Sequence, residues 1–206
     1  MSEEPPAKPP LDWAVAALAL PGETESGDLH YVRQQGDEVL LGVVDGLGHG
    51  PEAARAARLA IEALGSYSGS DLDSCFARCH RALARTRGVV MSLASIDVAD
   101  RRLSWAAIGN IDGVLLRADA GNRPGSESLL MLGGVVGHQL PKLRPTELAL
   151  DPGDVLVFAT DGIASGFRAE LNTADDPKQL ADRVLSRHGK ESDDALVLVA
   201  RFDPAV

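Results

Sequence analysis

Four acidic positions share one context in this chain. Asp28 follows Ser26-Gly27 and starts a strand. Asp45 closes the run VLLGVVDG, and Asp161 closes VLVFATDG. Asp193 and Asp194 precede the last run, SDDALVLVA. Carboxylates at the ends of buried strands can converge on one rim of a sheet. Their mutual repulsion is then costly unless something positive sits among them. Divalent hard cations meet that need, because Mg²⁺ and Mn²⁺ take carboxylates, backbone carbonyls and water. Gly46 and Gly162, which follow two of the acids, let backbone come close, so that a carbonyl could also coordinate. Each signal is weak alone. Asp-Gly is a common turn dipeptide, a lone Asp28 in a loop would mean nothing, and Asp193-Asp194 also reads as a solvated turn or a cap. Two apolar runs ending in Asp-Gly, far apart, with acids at two further strand ends, form the signal.

Other reactive residue types add little. His49 is the one histidine inside these motifs. It could protonate a leaving alkoxide, but facing solvent or capping the next helix is the favoured reading. His30, His80, His138 and His188 lie outside any motif. Cys75 and Cys79 are too few for a disulfide framework, and they read as reduced residues on one helix face. Gly48 to Ala53 fits G-x-G-x-x-A, the dinucleotide-binding pattern. The second strand of such a unit should then lie near Tyr67–Asp71. SYSGSD stands there instead, without strand character, so that reading fails.

The elements that must position the acids follow from periodicity and turn signals. Strands are predicted at Leu11–Leu20, Asp28–Gln35 and Glu38–Asp45, the last two joined at Gly36-Asp37. Gly46–Gly50 is irregular. Helices are predicted at Pro51–Tyr67, with Pro51 in its first turn, and from about Ser70 to Thr86, capped by Asp71 or Ser70. Val89–Val98, Arg102–Gly109 and Gly113–Ala118 read as an antiparallel meander, followed by a loop at Gly121–Ser128. Further strands are expected at Leu129–Leu132, Thr146–Leu150 and Val155–Thr160. A helix is expected at Asp176–His188 and a last strand at Ala195–Arg201. Regular βαβ alternation is excluded, and an α+β layered fold with helices outside antiparallel sheets is favoured.

Bulk composition bounds the rest. The chain has 206 residues, 45% hydrophobic and 24% charged, which suits one globular domain over 11–206 behind a polar, Pro-rich tail over 1–10. The formal charge of −10 argues against nucleic acid and against an anionic membrane surface. The longest apolar run, Trp13–Leu20, is far short of the roughly 20 residues that span a bilayer. The N-terminus carries no signal-peptide pattern, so a cytoplasmic protein is expected.

Taken together, SGD at Ser26–Asp28, VVDGLGHG at Val43–Gly50, FATDGI at Phe158–Ile163 and SDDALVLV at Ser192–Val199 resemble the PPM-type metal-dependent Ser/Thr protein phosphatases. DGLGHG is similar to the SpoIIE-like bacterial branch. The short length and the stretch Cys79–Asn110 look closest to its RsbX-type stressosome feedback phosphatases. That resemblance implies a four-layer αββα sandwich, two antiparallel sheets flanked by helices, with two Mn²⁺ or Mg²⁺ ions at one edge. It implies that Asp45 bridges the metals, that Gly46 offers its carbonyl, and that Asp28, Asp161 and Asp193 complete the ligands. Asp45 and Asp161 would be catalytic, with Asp194 beside Asp193. The reaction would be direct attack of metal-bound hydroxide on phosphoserine or phosphothreonine. The implied substrates are phosphorylated STAS-domain proteins of the stressosome, and a monomer is expected. An anti-anti-sigma-factor phosphatase and a non-catalytic binding module of the same fold are the alternatives.

Overall fold

The computed structural model describes residues 9–121 and 123–204. In chain order the elements are β1 (Leu11–Leu18), β2 (Asp28–Gln35), β3 (Glu38–Gly46), α1 (Gly50–Gly65), α2 (Leu72–Ala82), β4 (Val89–Asp97), β5 (Arg102–Ile108) and β6 (Asp112–Leu116). There follow β7 (Ser126–Ser128), β8 (Met131–Leu132), β9 (Thr146–Ala149), β10 (Val155–Ala159), a 3₁₀ segment at Ser165–Glu170, α3 (Pro177–His188) and β11 (Ala195–Phe202).

Two sheets form, one ordered β1-β11-β10-β6-β7 and the other β2-β3-β4-β5-β8, with β9 also on β5. Their layering follows from strands that are apolar on both faces. In β3, Val39, Leu41 and Val43 point into the core between the sheets, while Leu40 and Val44 point toward α1 and α2. In β11, Leu196, Leu198, Ala200 and Phe202 enter the same central core, while Ala195, Val197 and Val199 pack with Leu180, Ala181 and Val184 of α3. Alternate side chains leave opposite faces of a strand, so each inner strand needs cover on both sides. Helices on both outer faces supply it, giving helix, sheet, sheet, helix. The small residues Ala53, Ala56, Ala57 and Ala60 let α1 lie close on its sheet. Both α2 and α3 are capped by acids, with Asp71 accepting from the Ser74 N–H at 2.8 Å and Asp176 from the Lys178 N–H at 2.9 Å.

Several elements differ from the sequence expectation. The meander breaks after β5. β4 and β5 pair with each other, but β6 crosses to the other sheet and pairs with β10, Val155 opposite Leu116. The crossing runs through Gly109 at φ 102° and the buried Ile111, and it is one of the links between the layers. β7 falls where a loop is expected, because SES is a polar edge strand without apolar alternation, paired to β6 alone. β8 runs parallel to β5. The second helix is shorter than expected at both ends, and the 3₁₀ segment has no periodic signal. The tail expected over 1–10 lies outside the described residues as far as Lys8. Pro10 is buried, and its carbonyl accepts from the Asp203 N–H at 2.8 Å.

The end of β10 away from Asp161 carries a buried polar unit built on Arg117 and Asp154. Asp154, fully buried, accepts from Arg117 Nη1 at 2.8 Å, from the Ala118 N–H at 2.9 Å and from the Asp151 N–H at 3.1 Å. Arg117 also donates to the Ala149 carbonyl at 2.6 Å and to Glu127. Removing one member strands a buried charge. Arg117→Met should therefore lower the unfolding free energy by about 3–5 kcal/mol, read by urea denaturation. A loss below about 1 kcal/mol would show the unit to be dispensable.

Candidate metal centre

The predicted acids meet at one rim, where the two sheets face each other. β2 and β3 pair in a register that sets Asp28 directly opposite Asp45. Like charges in that position repel. In the other sheet β10 runs into Thr160 and Asp161, and its antiparallel neighbour β11 starts after Asp193 and Asp194. Hydrogen bonds tie the two sheets together there. Thr160 Oγ1 donates to Asp28 Oδ2 at 2.7 Å, and the Gly27 N–H donates to Asp194 Oδ2 at 2.7 Å.

The electrostatics register the crowding. Burial pushes the Asp45 carboxyl up to about 8, and Asp28, Asp161, Asp193 and Asp194 each add repulsion. Burial also lifts Asp28, to about 7, against the pull of the Thr160 hydroxyl, with Asp194, Asp161 and Asp193 again adding. Asp193 is raised by burial and by Asp161 and Asp194, while the Asp194 N–H and His49 act the other way. Among the described residues, no lysine, arginine or histidine forms an ion pair with any of these five carboxylates. Nor do three His, Cys, Asp or Glu side chains among them close around one point in ligand geometry. The acids share a rim, and each of Asp28, Asp161, Asp193 and Asp194 acts on Asp45 through its charge. Their oxygen donors suit a hard divalent cation, and a cation is the kind of charge that their raised pKa values lack.

The acids are not equivalent in what they have free. Asp194 is buried and spends both oxygens on backbone, accepting from the Leu20 N–H at 2.8 Å and from the Gly27 N–H. Among the described residues, Asp193 accepts only the Asp194 N–H, at 2.9 Å on Oδ1. Asn110 Nδ2 donates to Asp161 Oδ2 at 2.7 Å, and Lys190 Nζ donates to the Asp161 carbonyl.

Both Asp-Gly glycines are demanded by packing. A Cβ on Gly46 would stand 2.2 Å from the Ala53 carbonyl oxygen, so the first turns of α1 lie against that backbone. A Cβ on Gly162 would stand 1.9 Å from the Asp194 carbonyl oxygen. The chain that approaches at each glycine is thus the protein's own. The Gly46 carbonyl oxygen and Asp194 Oδ2 both lie beside Gly27, 3.3 Å and 3.2 Å from where a Cβ there would stand.

Other side chains weighed from the sequence stay outside. His49 is exposed, with Nδ1 2.7 Å from Glu23 Oε1. Burial pushes Cys75 up to about 11 and Cys79 to about 12, so neither is a nucleophile near neutral pH. His30 tilts against Trp13, and His80 Nδ1 accepts from the Gly137 N–H at 3.0 Å. Sequence reasoning missed Thr160 and Asn110. Thr160 stands inside the quoted FATDGI, where a buried hydroxyl beside an acid was its only signal. Asn110 lies in a segment that reads as a mere separator.

The family profile of stage II sporulation protein E (SpoIIE) matches residues 35–203. The phosphoserine phosphatase RsbX of Bacillus subtilis (strain 168) is 21% identical over 195 residues, 93% of this chain and 95% of that protein. A chain solved in work on the bacterial stressosome, as a modular system adapted to control secondary messenger signalling, is 32% identical. It covers 93% of this chain and 99% of its own, with a TM-score of 0.84. RsbX crystallised with magnesium superposes with a TM-score of 0.82 at 21% identity, covering 98% of each chain. With the profile matched over most of its length, the chain belongs to the SpoIIE family, and it shares the fold of the PP2C phosphatase domain of SpoIIE from Bacillus subtilis.

Proposed function

We propose that the protein is a metal-dependent serine/threonine protein phosphatase that dephosphorylates STAS-domain proteins of a stressosome, as a single-domain cytoplasmic monomer. The observation that carries the metal site is the rim of five carboxylates without a cationic partner among the described residues, two of them pushed to about 7 and about 8. The substrate reading is supported by likeness to RsbX, described as a phosphoserine phosphatase, and to the stressosome chain. Magnesium bound to RsbX supports the cofactor class.

Two Mg²⁺ or Mn²⁺ ions, when bound, would supply charge neutralisation at the phosphoryl oxygens and an activated water at neutral pH. The chain's own residues would hold and orient them. Asp45 feels all four other acids, which suits a ligand shared between two ions. Gly46 would add its carbonyl. Asp28 would bind through the carboxylate that Thr160 orients. Asp161, with Oδ2 on Asn110, would present Oδ1. Asp193 would be the ligand of the Asp193-Asp194 pair, since Asp194 has both oxygens on backbone N–H groups and serves as a latch. His49 is placed at the edge, where its contact with Glu23 leaves it no assigned step.

Asp45→Asn should reduce Mn²⁺-supported turnover of a phosphoserine protein by more than about 100-fold with the fold intact. Wild-type activity in EDTA would overturn the metal reading. A pH signature follows as well. Folded Asp28 and Asp45 hold protons up to about 7 and about 8, where an unfolded aspartate has lost its own near roughly 4. The metal-free folded state therefore binds more protons across that window, and its stability should fall as pH rises through it. Metal must displace those protons, so its affinity should rise over the same range. Melting temperature against pH, with and without Mn²⁺, checks both. The gap between the curves should be widest near pH 8, and a metal-free curve flat from pH 5 to 8 would contradict the site (pH limits roughly those of the shifts).

A further inference from the structure

A second charged feature flanks the acidic rim. Glu52, Arg55, Arg85, Thr86 and Arg87 line a cavity of about 270 Å³ between the start of α1 and the turn that leaves α2. Arg87 is paired with Glu52. Arg55 and Arg85 have no ion-pair or hydrogen-bond partner among the described residues. Two uncompensated guanidinium groups thus face one cavity in a chain whose formal charge is −10.

The turn that carries Arg85 and Arg87 is held in place. Thr86 Oγ1 donates to the Leu83 carbonyl at 2.8 Å and accepts the Gly88 N–H at 3.0 Å. The cavity also adjoins the metal rim through shared backbone. The Leu47 N–H donates to the Gly88 carbonyl at 3.2 Å, one residue beyond Gly46. Arg87 Nη1 lies 2.8 Å from where a Cβ on Gly48 would stand. The loop that follows Asp45 therefore touches Arg87, which lines the cavity together with Arg55 and Arg85.

We infer that this cavity is an anion subsite, taking a carboxylate or phosphate group that the substrate protein carries beside its phosphorylated residue. The inference rests on the phosphatase reading for the word substrate, but the binding chemistry stands on the cavity alone. Guanidinium groups match carboxylate and phosphate oxygens as paired donors. A protein of net negative charge repels an acidic, phosphorylated partner at long range, and a local basic cavity at the rim offsets that where docking occurs. The rim attracts the phosphoryl group through metal, and the cavity would fix the direction in which the flanking chain leaves.

The test separates the two readings. The wild type and Arg55→Ala/Arg85→Ala are compared with Mn²⁺ on para-nitrophenyl phosphate, on a phosphoserine peptide flanked by glutamates, and on the same peptide flanked by glutamines. A fourth arm carries a second phosphoserine in place of one glutamate. Equilibrium binding of the fluorescein-labelled glutamate peptide is read by anisotropy in EDTA, with inorganic phosphate as competitor. Expected are unchanged turnover of para-nitrophenyl phosphate, and a kcat/KM on the acidic peptides lower by about tenfold in the variant. The glutamine peptide should show little change, and anisotropy binding should weaken by a similar factor. The two acidic arms show which anion the cavity prefers, and displacement by phosphate alone would place the same chemistry on free phosphate. Equal losses on every substrate, or unchanged anisotropy, would overturn the subsite. No turnover of any phosphomonoester, with arginine-dependent peptide binding intact, would instead remove the phosphatase reading and leave the subsite standing.

Discussion

Repulsion among the carboxylates at one rim is the constraint on which the rest of the structure depends. Asp28 and Asp45 face each other across a β-ladder, with Asp161, Asp193 and Asp194 close by. Nothing in their own chemistry favours that arrangement. They are held there by the paired strands behind them, whose apolar residues fill the central core and the two outer ones. Burial of those side chains offsets the electrostatic cost at the rim. The folded state thus carries a local destabilisation that a divalent cation would relieve, in keeping with strained or charged sites supported by the remaining fold.

The two ends of β10 make the contrast plain. At one end Asp154 is buried and fully satisfied by Arg117 and backbone donors. At the other, the Asp161 carboxylate takes a neutral amide from Asn110 and no ion pair among the described residues, while Lys190 reaches only its backbone carbonyl. The same residue type on the same strand serves the fold in one place and is available to a ligand in the other. What separates them is the presence of a guanidinium within reach, which neither the strand pattern nor the Asp residue itself specifies.

Packing around the rim is equally specific. Gly46 and Gly162 accept the backbones of α1 and of Asp194 at distances that admit no side chain. Asp194 and Thr160 then stitch one sheet to the other. Hydrogen bonds from backbone and hydroxyl hold the acids in position without neutralising them. That limits the freedom of each carboxyl group without supplying a counter-charge.

Much of this was legible in the residues. The apolar runs ending in Asp45-Gly46 and Asp161-Gly162, and the run begun by Asp193-Asp194, marked strands and placed acids at their ends, because period and turn chemistry are local properties. The helices after Gly50 and before Lys190 were legible for the same reason, as was the layered α+β class. Three things were decided only in three dimensions. β6 belongs to the sheet opposite β5, since strand pairing between distant segments is set by which faces can be buried together. Asp194, rather than Asp193, is the buried latch, because Leu20 and Gly27 present their N–H groups to it from far along the chain. The glycines of the two Asp-Gly pairs are there for the backbones that lie against them. The sequence by itself determined which carboxylates stand at strand ends. Only the tertiary structure decided which of them meet and what each is bonded to, because the bonds that join the two sheets there, Thr160 to Asp28 and Gly27 to Asp194, link residues more than a hundred positions apart.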